Sequence, residues 1–349
     1  MPALALAEAL VAAASDVDVV LVGAQRGIEA RILPARPFRY HLLPSEPMYR
    51  RTWWKNVRWP LVVGRLLSAG AKVLDQERPM LAVGTGGYAA GPILLQALWR
   101  RIPIVLQEQN AFPGITTRRL VRYARQIHLG FPEARVYLRP GRNTEVCQYG
   151  NPVVPPPLPR PDRSTAKEGL GMAGDSRVLF VMGGSQGARC INTAVMAAMD
   201  AGFLEGIHLL WSTGPANWDE LRRYDRPPTR QVRPFWDPVT EAYAAADVMV
   251  ARSGAMTTAE LCAWGIPSIL VPLQWAAAAH QARNAEAMER SGAAIRLPEP
   301  LLTGESLANS VMGLLEDEGR LLAMSRAALG RGHPKAAENI ARHILKSTL

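Results

Sequence analysis

The chain has 349 residues, of which 48% are hydrophobic. This length and hydrophobic content allow two buried cores in domains of roughly 100–200 residues, and they exclude a disordered chain. The formal net charge of +10 would suit nucleic acid, anionic lipid or a phosphorylated substrate, and charge alone does not choose among them. Cys147, Cys190 and Cys262 form no CxxC pair, so neither a disulfide framework nor a zinc site is indicated, and a reducing cytoplasm is predicted.

The opening run, Met1 to Ala14, is predicted to be a helix. It is apolar, carries Glu8, lacks a basic leader and is too short to cross a bilayer. No later segment offers about 18 uninterrupted apolar residues, so any membrane contact is expected to be peripheral.

Short β-branched runs then alternate with longer helical patterns, which is typical of parallel α/β sheets. The predicted strands are Val17–Val22, Met80–Val83, Ile104–Leu106, Arg177–Met182, His208–Trp211, Val248–Ala251 and Ser268–Val271.

A proline-rich stretch, residues 151–161, separates the two groups of strands, and prolines cannot donate hydrogen bonds to a sheet. We therefore predict domains at 1–152 and 153–349, with the last helix able to pack back on the first domain. Each is expected to be a doubly wound, Rossmann-like sheet, the two facing each other across a cleft with ligands at the carboxyl ends of the strands. Because such a domain normally opens with a strand and this chain opens with a helix, the first strand of the N-terminal domain is expected to be missing.

A glycine-rich turn follows the strand at Arg177–Met182 and leads into a helix that is predicted to start near Ala188. Glycines let the backbone approach a ligand closely, and free amides at a helix N-terminus attract phosphate. The alternative is a tight turn without a ligand.

A second segment of this kind, Arg252 to Glu260, follows the strand Val248–Ala251. Glu260 lies about a turn and a half into the predicted helix, where its carboxylate could accept hydrogen bonds from two ribose hydroxyls. The alternative is that Glu260 only offsets the helix dipole.

Two amides, Gln281 and Asn284, lie three residues apart and therefore on one helical face, where they could bind sugar hydroxyls. The alternative is a solvated polar face. His280 has no partner at ligand spacing, so no metal is predicted there.

In the first half of the chain, residues 83–92 and 106–114 each follow a predicted strand and are expected to line the opposite wall of the cleft. The polar cluster Glu108, Gln109 and Asn110 is unusual directly after an apolar strand, and we favour a functional interpretation over an ordinary capping turn.

Six motifs in order and spacing resemble the MurG family, and the likeness covers nearly the whole chain. They are GTGGYAAGP at 84–92, QEQNAFPG at 107–114, GNPV at 150–153, GGSQGAR at 183–189, RSGAMTTAEL at 252–261 and HQARN at 280–284. The resemblance implies a GT-B fold and metal-independent, inverting transfer of N-acetylglucosamine from UDP-N-acetylglucosamine to undecaprenyl-pyrophosphoryl-N-acetylmuramoyl-pentapeptide (lipid I). The product, lipid II, is used in peptidoglycan synthesis, and the implied location is the cytoplasmic face of the bacterial inner membrane, with cell-wall synthesis proteins as further partners and no nucleic acid.

The resemblance also implies site residues. On the donor side it places Ser185 at the pyrophosphate, Trp236 beside the uracil, Glu260 on the ribose, and Asn110 and Gln281 on the sugar. The other implied donor residues are Gly184, Gln186, Gly187, Arg252, Ser253, Gly254, Ala255, Met256, Thr257, Thr258, Ala259 and Asn284. The implied acceptor residues are Thr85, Gly86, Gly87, Tyr88 and Gln109. UDP-N-acetylglucosamine is a substrate, and no cofactor or metal is expected.

The chain departs from the family pattern at three places. The family's GGTGGH loop, whose histidine is a candidate base, would precede Pro2; Val154 replaces a usual arginine, and Ala279 occupies a usually polar position. Glu108 is then the acidic group nearest to the expected cleft, and we assign it as a substitute base, for which partial desolvation would have to raise its pKa.

Two alternatives stay open. An inactive paralogue could bind nucleotide sugar and act as a scaffold, or a related GT-B transferase could act on another lipid or aglycone. The motifs at 84–92 and 107–114 favour lipid I over the latter, and a nucleic-acid role has only the charge in its favour.

Residues 49–59 form the most unusual stretch, with tryptophans placed among basic residues. Tryptophan prefers the headgroup region, and each basic residue near an anionic surface adds about 1 kcal/mol of attraction. We therefore predict a membrane contact, extended by Trp99, Arg100 and Arg101; the alternative is a helix edge with buried tryptophans. Its predicted residues are Arg50, Arg51, Trp53, Trp54, Lys55, Arg58 and Trp59.

Overall fold

A computed structural model describes residues 2–44, 59–87, 90–184, 186–274 and 280–348. The chain divides into two compact units. Unit 1 comprises Met1–Val153 together with Lys335–Leu349, and unit 2 comprises Val154–Pro334. The change from one unit to the other falls inside the proline-rich stretch, and the last helix belongs to unit 1.

The described residues of unit 1 form six strands, all in parallel pairings. They are β1 (Val20–Ala24), β2 (Arg39–Leu43), β3 (Ala82–Gly84), β4 (Ile104–Glu108), β5 (Gln126–Leu129) and β6 (Glu145–Cys147). β1 pairs with β2, whereas β3, β4, β5 and β6 form a second sheet in that order. Among the described residues, no hydrogen-bonded strand pair joins these two sheets.

The predicted opening helix is confirmed as α1. The helices of unit 1 are α1 (Pro2–Ala13), α2 (Glu29–Ile32), α3 (Trp59–Glu77), α4 (Ala90–Trp99), α5 (Ile115–Leu120) and α14 (Ala336–Thr348). Leu6 and Leu10 of α1 pack with Ile340 and Ile344 of α14 against Val105 of β4. Burying each such side chain stabilises the fold by about 1.5–3 kcal/mol, which fixes α14 within unit 1.

Where the structure describes unit 2, its strands form one six-stranded parallel sheet, which confirms the predicted doubly wound topology. Its strands are β7 (Val178–Met182), β8 (His208–Ser212), β9 (Arg230–Arg233), β10 (Val248–Ala251), β11 (Ser268–Leu270) and β12 (Ala294–Arg296). Their order is β12-β11-β10-β7-β8-β9. The chain thus builds outward from β7 in one direction and then returns to build from β10 in the other.

The helices of unit 2 cover both faces of this sheet, and its central strands are therefore continuous apolar runs. The helices are α6 (Arg163–Gly169), α7 (Arg189–Asp200), α8 (Trp218–Leu221), α9 (Val239–Ala245), α10 (Ala255–Trp264), α11 (His280–Arg290), α12 (Gly304–Leu315) and α13 (Glu318–Arg331). Leu179 and Val181 of β7 and Val248 and Val250 of β10 are fully buried in the core.

The predicted membrane contact lies largely outside the described residues. This holds for Arg50, Arg51, Trp53, Trp54, Lys55 and Arg58, and for the side chain of Trp59. In the described part of the chain, no helix combines the length and the apolar character needed to span a bilayer.

Candidate functional site

Two segments of unit 2 carry most of the predicted donor residues, and we call them the donor segments. The first, residues 183–189, follows β7, and the second, residues 252–260, follows β10. Because β7 and β10 are hydrogen-bonded neighbours, the donor segments lie side by side. The strand order reverses between them. Ligands of doubly wound sheets bind beyond the carboxyl ends of the strands at such a reversal point, so the topology favours a ligand at these two segments.

The glycines of the first segment are required by backbone geometry. A Cβ on Gly187 (φ +74°) would lie 2.2 Å from the Thr213 carbonyl oxygen, so the turn packs backbone against backbone beside the end of β8. Gly184 also has a positive φ, of +91°, but a Cβ there would meet nothing within 4 Å. The turn is therefore held tightly on one side and open on the other, which is what close approach of a ligand needs. Ser185 lies outside the described residues, and Gln186 is exposed.

A helix begins at the end of the first segment and another begins within the second. The structure begins α7 at Arg189 and α10 at Ala255, as the sequence predicted. The first backbone N–H groups of a helix have no partner within it, and their dipoles attract anions. Gly254 precedes α10 in an extended conformation, which places the N-terminus of α10 close to the end of β10 at Ala251.

Glu260 occupies the second turn of α10, as predicted, and is held by Tyr243 of α9. The Tyr243 hydroxyl donates a 2.8 Å hydrogen bond to Glu260 Oε2. Burial raises the pKa of Glu260 above its usual value, and the hydrogen bond from Tyr243 opposes that shift. Tyr243 thus fixes one carboxylate oxygen in place.

Arg252 is tied into a network of unit 2. Its guanidinium forms a 2.5 Å ion pair with Glu299 and donates to the Val271 carbonyl oxygen at 3.2 Å. The Cys190 thiol donates to the same Glu299 oxygen at 3.0 Å, because burial raises the pKa of this thiol to about 11 and keeps it protonated. The other Glu299 oxygen accepts from the Gln274 amide at 3.0 Å. Glu299 therefore joins the segments after β7, β10 and β11.

Gln281 and Asn284, the predicted amides of α11, both form hydrogen bonds with Ser253 of the second segment. Asn284 is fully buried and donates to the Ser253 carbonyl oxygen at 3.1 Å, while the buried Ser253 hydroxyl donates to the Gln281 carbonyl oxygen at 2.8 Å. The Gln281 side chain accepts from the Leu273 amide. These contacts position the Arg252–Gly254 segment, and sugar binding by Gln281 and Asn284 stays a prediction.

Other members of the donor set differ in accessibility. Thr258 is buried and donates to the carbonyl oxygens of Gly254 and Ala255, whereas Met256, Thr257 and Ala259 are partly exposed. Trp236 is 1% exposed, with the Arg233 guanidinium 4.0 Å from its ring centroid. A uracil could stack on this ring only if Arg233 moved, and the role of Trp236 stays a prediction.

In unit 1, Glu108 ends β4 and is 4% exposed. Its Oε1 accepts from the Asn110 amide at 3.1 Å and from Asn110 Nδ2 at 3.3 Å, and its Oε2 accepts from the Gly114 amide at 3.0 Å. The carboxylate therefore organises the loop from Gln109 to Gly114. Its assignment as the base is a prediction that this geometry leaves untested.

The predicted acceptor segments meet at Gln109. Its side-chain amide donates to the Thr85 carbonyl oxygen at 2.9 Å, beside Gly86 and Gly87, which both have positive φ. The side-chain amide of buried Asn151 donates to the Gln109 carbonyl oxygen at 3.0 Å. The side-chain amide of Gln107 donates in turn to the side-chain oxygen of Asn151 at 3.0 Å. The structure thus brings together three motifs that are separate in sequence; Tyr88 lies outside the described residues.

Comparison with known proteins agrees with this arrangement. Residues 1–129 match the glycosyltransferase family 28 N-terminal domain, and residues 178–340 match its C-terminal domain. A curated protein of Salinibacter ruber, named UDP-N-acetylglucosamine–N-acetylmuramyl-(pentapeptide) pyrophosphoryl-undecaprenol N-acetylglucosamine transferase, is 39% identical over 99% of this chain and 92% of its own length. A protein of the same name from Desulforudis audaxviator is 37% identical over 97% and 92%. The chain belongs to the MurG family.

Solved structures confirm the GT-B fold of this MurG family member. MurG of Acinetobacter baumannii matches with a TM-score of 0.77 at 25% identity, over 99% of this chain and 95% of that one. The calicheamicin glycosyltransferase CalG4, at 18% identity and a TM-score of 0.66 over 99% and 94% of the two chains, shares the fold.

Three residues around the MurG-type donor segments were missed from the sequence, namely Cys190, Tyr243 and Glu299. Each acts through a partner at least 17 positions away. No local pattern marks such a pairing, since only the register of the sheet brings the partners together.

Proposed function

We propose that this chain transfers N-acetylglucosamine from UDP-N-acetylglucosamine to undecaprenyl-pyrophosphoryl-N-acetylmuramoyl-pentapeptide, making lipid II. The observation that carries the proposal is the pair of adjacent donor segments at the strand-order reversal of unit 2, in a chain 39% identical to a curated transferase of that name. In this proposal unit 2 binds the nucleotide sugar, and unit 1 binds the lipid-linked acceptor.

Donor binding is divided between the two segments. The diphosphate lies at the open side of the turn at Gly184, near the N-terminal ends of α7 and α10, whose helix dipoles favour its negative charge. The ribose hydroxyls donate to the Glu260 carboxylate, which Tyr243 holds in place. In this proposal Ser185 binds the pyrophosphate and Trp236 lies beside the uracil. The sugar is bound by Asn110 and Gln281.

The reaction inverts the anomeric centre. An acceptor hydroxyl loses its proton to a base and attacks the anomeric carbon while the bond to the UDP oxygen breaks. Negative charge then grows on the diphosphate, and oriented amides that are already in position stabilise it without reorganising. We assign this stabilisation to the two segments and propose that no cofactor is needed for it.

The ribose assignment predicts that Glu260→Ala weakens the binding of UDP-N-acetylglucosamine by about 1.5–3 kcal/mol, or roughly 10- to 150-fold in Kd. Tyr243→Phe should weaken it less, because the carboxylate remains. Since burial raises the pKa of Glu260, wild-type affinity should also fall as the pH is lowered below neutrality. Isothermal titration calorimetry measures both effects.

Glu241→Ala is the matched control, since Glu241 is exposed on α9 in the same unit and should leave Kd unchanged. An unaltered Kd for a folded Glu260→Ala protein would remove the ribose assignment.

The acceptor proposal requires unit 1 to reach an anionic membrane surface, because the acceptor is attached to a lipid. Trp99, at the end of α4 in unit 1, is 66% exposed, so its side chain is accessible for the membrane contact that the sequence predicts for it. We propose that the protein lies peripherally on the cytoplasmic leaflet through these residues.

Liposome co-sedimentation tests this placement. Wild type should bind vesicles that contain anionic phospholipid, and a variant with Trp53, Trp54 and Trp59 changed to serine should lose most of that binding. Phe203→Ser, at an exposed position in unit 2, should bind like wild type. Equal binding by all three proteins, or binding that ignores anionic lipid, would mean that the stretch is not the contact surface.

A further inference from the structure

Three metal-ligating side chains meet where α14 crosses the edge of the sheet of unit 1. Glu145 and Cys147 are two residues apart on β6 and therefore point to the same face. His343 projects from α14 toward them. The candidate ligand atoms of the three residues all lie within 4.8 Å of one another, although His343 is almost 200 positions from Cys147 in sequence.

The distances suit a tetrahedral ion. His343 Nε2 lies 3.7 Å from Cys147 Sγ and 2.9 Å from a Glu145 carboxylate oxygen. Zinc bond lengths of about 2.0–2.3 Å at tetrahedral angles place neighbouring ligand atoms about 3.3–3.6 Å apart. The two distances from His343 therefore need to change by only a few tenths of an ångström, whereas the ligand atoms of Glu145 and Cys147, which lie within 4.8 Å of each other, must approach by up to about 1.2 Å. The exposed side chain of Glu145 can make that movement, and it leaves a coordination position open to water.

A neighbouring residue orients the imidazole. The Tyr149 hydroxyl is 3.1 Å from His343 Nδ1, so Nδ1 can carry the proton and donate to Tyr149 while Nε2 keeps its lone pair for a metal. Ligating histidines almost always have such a partner on the second nitrogen. The ring of buried His128, on the neighbouring strand β5, lies 5.6 Å from that of His343, and its Nδ1 has no hydrogen-bond partner among the described residues.

We propose that Glu145, Cys147 and His343 bind one divalent cation of the zinc class, which links α14 to β6. The ligand set of one thiolate, one imidazole and one carboxylate favours zinc over the hard cations calcium and magnesium. The site belongs to unit 1, whereas the donor segments belong to unit 2, so its predicted role is to fasten the last helix and not to take part in transfer.

Binding has a defined proton balance. The Cys147 thiol loses its proton as the sulfur–metal bond forms. His343 gives up its Nε2–H hydrogen bond to Glu145 and binds through Nε2 as the neutral tautomer that carries its proton on Nδ1. One proton is therefore released per ion, and the affinity should rise with pH as the thiolate becomes easier to form.

Cobalt(II) tests the proposal on the full-length protein, because it binds at zinc sites and its coordination by a thiolate can be followed by absorption spectroscopy. Wild type should bind one Co²⁺ per chain with a thiolate-to-cobalt charge-transfer band, Zn²⁺ should displace it, and Zn²⁺ should raise the Tm. Cys147→Ser should lose the band and the Tm shift. Tyr149→Phe should weaken the affinity by about tenfold or more.

Cys190→Ser is the matched control, because Cys190 also lies beside a glutamate, Glu299, and this variant should keep the band. If Cys147→Ser does not fold, Glu145→Gln serves, with an expected loss of Co²⁺ affinity of at least tenfold. No band in wild type at equimolar Co²⁺, or a band that survives in Cys147→Ser, would overturn the proposal.

Discussion

Glu108→Gln is expected to lower the free energy of unfolding of unit 1 by about 3 kcal/mol. The Glu108 carboxylate is buried and accepts hydrogen bonds on both oxygens, from the Asn110 and Gly114 amides and from the Asn110 side chain. Glutamine keeps the shape but replaces one oxygen by an NH₂ group, so two donors then face each other. Chemical denaturation gives the free energy, and hydrogen exchange should locate the loss at residues 109–114.

Glu8→Gln is the matched control, since Glu8 is exposed on α1 of the same unit and should change stability by about 0.5 kcal/mol or less.

The Glu108→Gln variant also separates two roles for Glu108. If Glu108 is the base, the variant should lose turnover even when it is fully folded. If Glu108 only organises the loop, turnover should fall only as far as the loop at residues 109–114 is destabilised. Unchanged stability and unchanged exchange would contradict the hydrogen-bond assignment.

Glu299→Gln is expected to cost unit 2 about 3 kcal/mol, because it leaves the Arg252 guanidinium largely buried without its counter-ion. The side chains of Arg252 and Glu299 are only 13% and 15% exposed. Glu299 also accepts hydrogen bonds from the Cys190 thiol and from the backbone amide of Gln274. Loss of its negative charge should therefore loosen the Arg252–Gly254 segment and weaken the binding of UDP-N-acetylglucosamine. Denaturation and calorimetry measure the two effects.

The surface pair of Arg296 and Glu289 provides the control in the same unit. Its 2.9 Å distance resembles that of a buried pair, but its side chains are 40% and 39% exposed. Glu289→Gln should therefore cost about 0.5 kcal/mol or less. If both variants lose the same stability, burial does not set the strength of the Arg252–Glu299 pair.

Five of the described strands were missed, and they have two physical causes. β2, β6, β9 and β12 each lie at an end of the strand order of their sheets among the described residues, where one side of the strand needs no neighbour, and each carries a charged residue. β5 is buried throughout yet carries Gln126 and His128, so it lacks the apolar run by which a buried strand is recognised.

The sequence by itself determined whatever depends on neighbouring residues. Apolar runs set β4 in unit 1 and the central strands of unit 2, and glycines set the turn at Gly184. The starts of α7 and α10 followed from the turns before them, because hydrogen bonds in helices and turns join residues a few positions apart. The positions of Glu260 and Glu108 relative to their strands were predictable for the same reason.

Only the tertiary structure decided which side chains meet. Glu260 with Tyr243, Arg252 with Glu299, and Cys147 with His343 are pairs separated by 17, 47 and 196 positions. The spacing of the three cysteines indicated no metal site, yet the folded chain places Cys147 beside Glu145 and His343. Such pairs are set by strand order and by the packing of α14 on unit 1, and these depend on burying apolar surface across the whole unit.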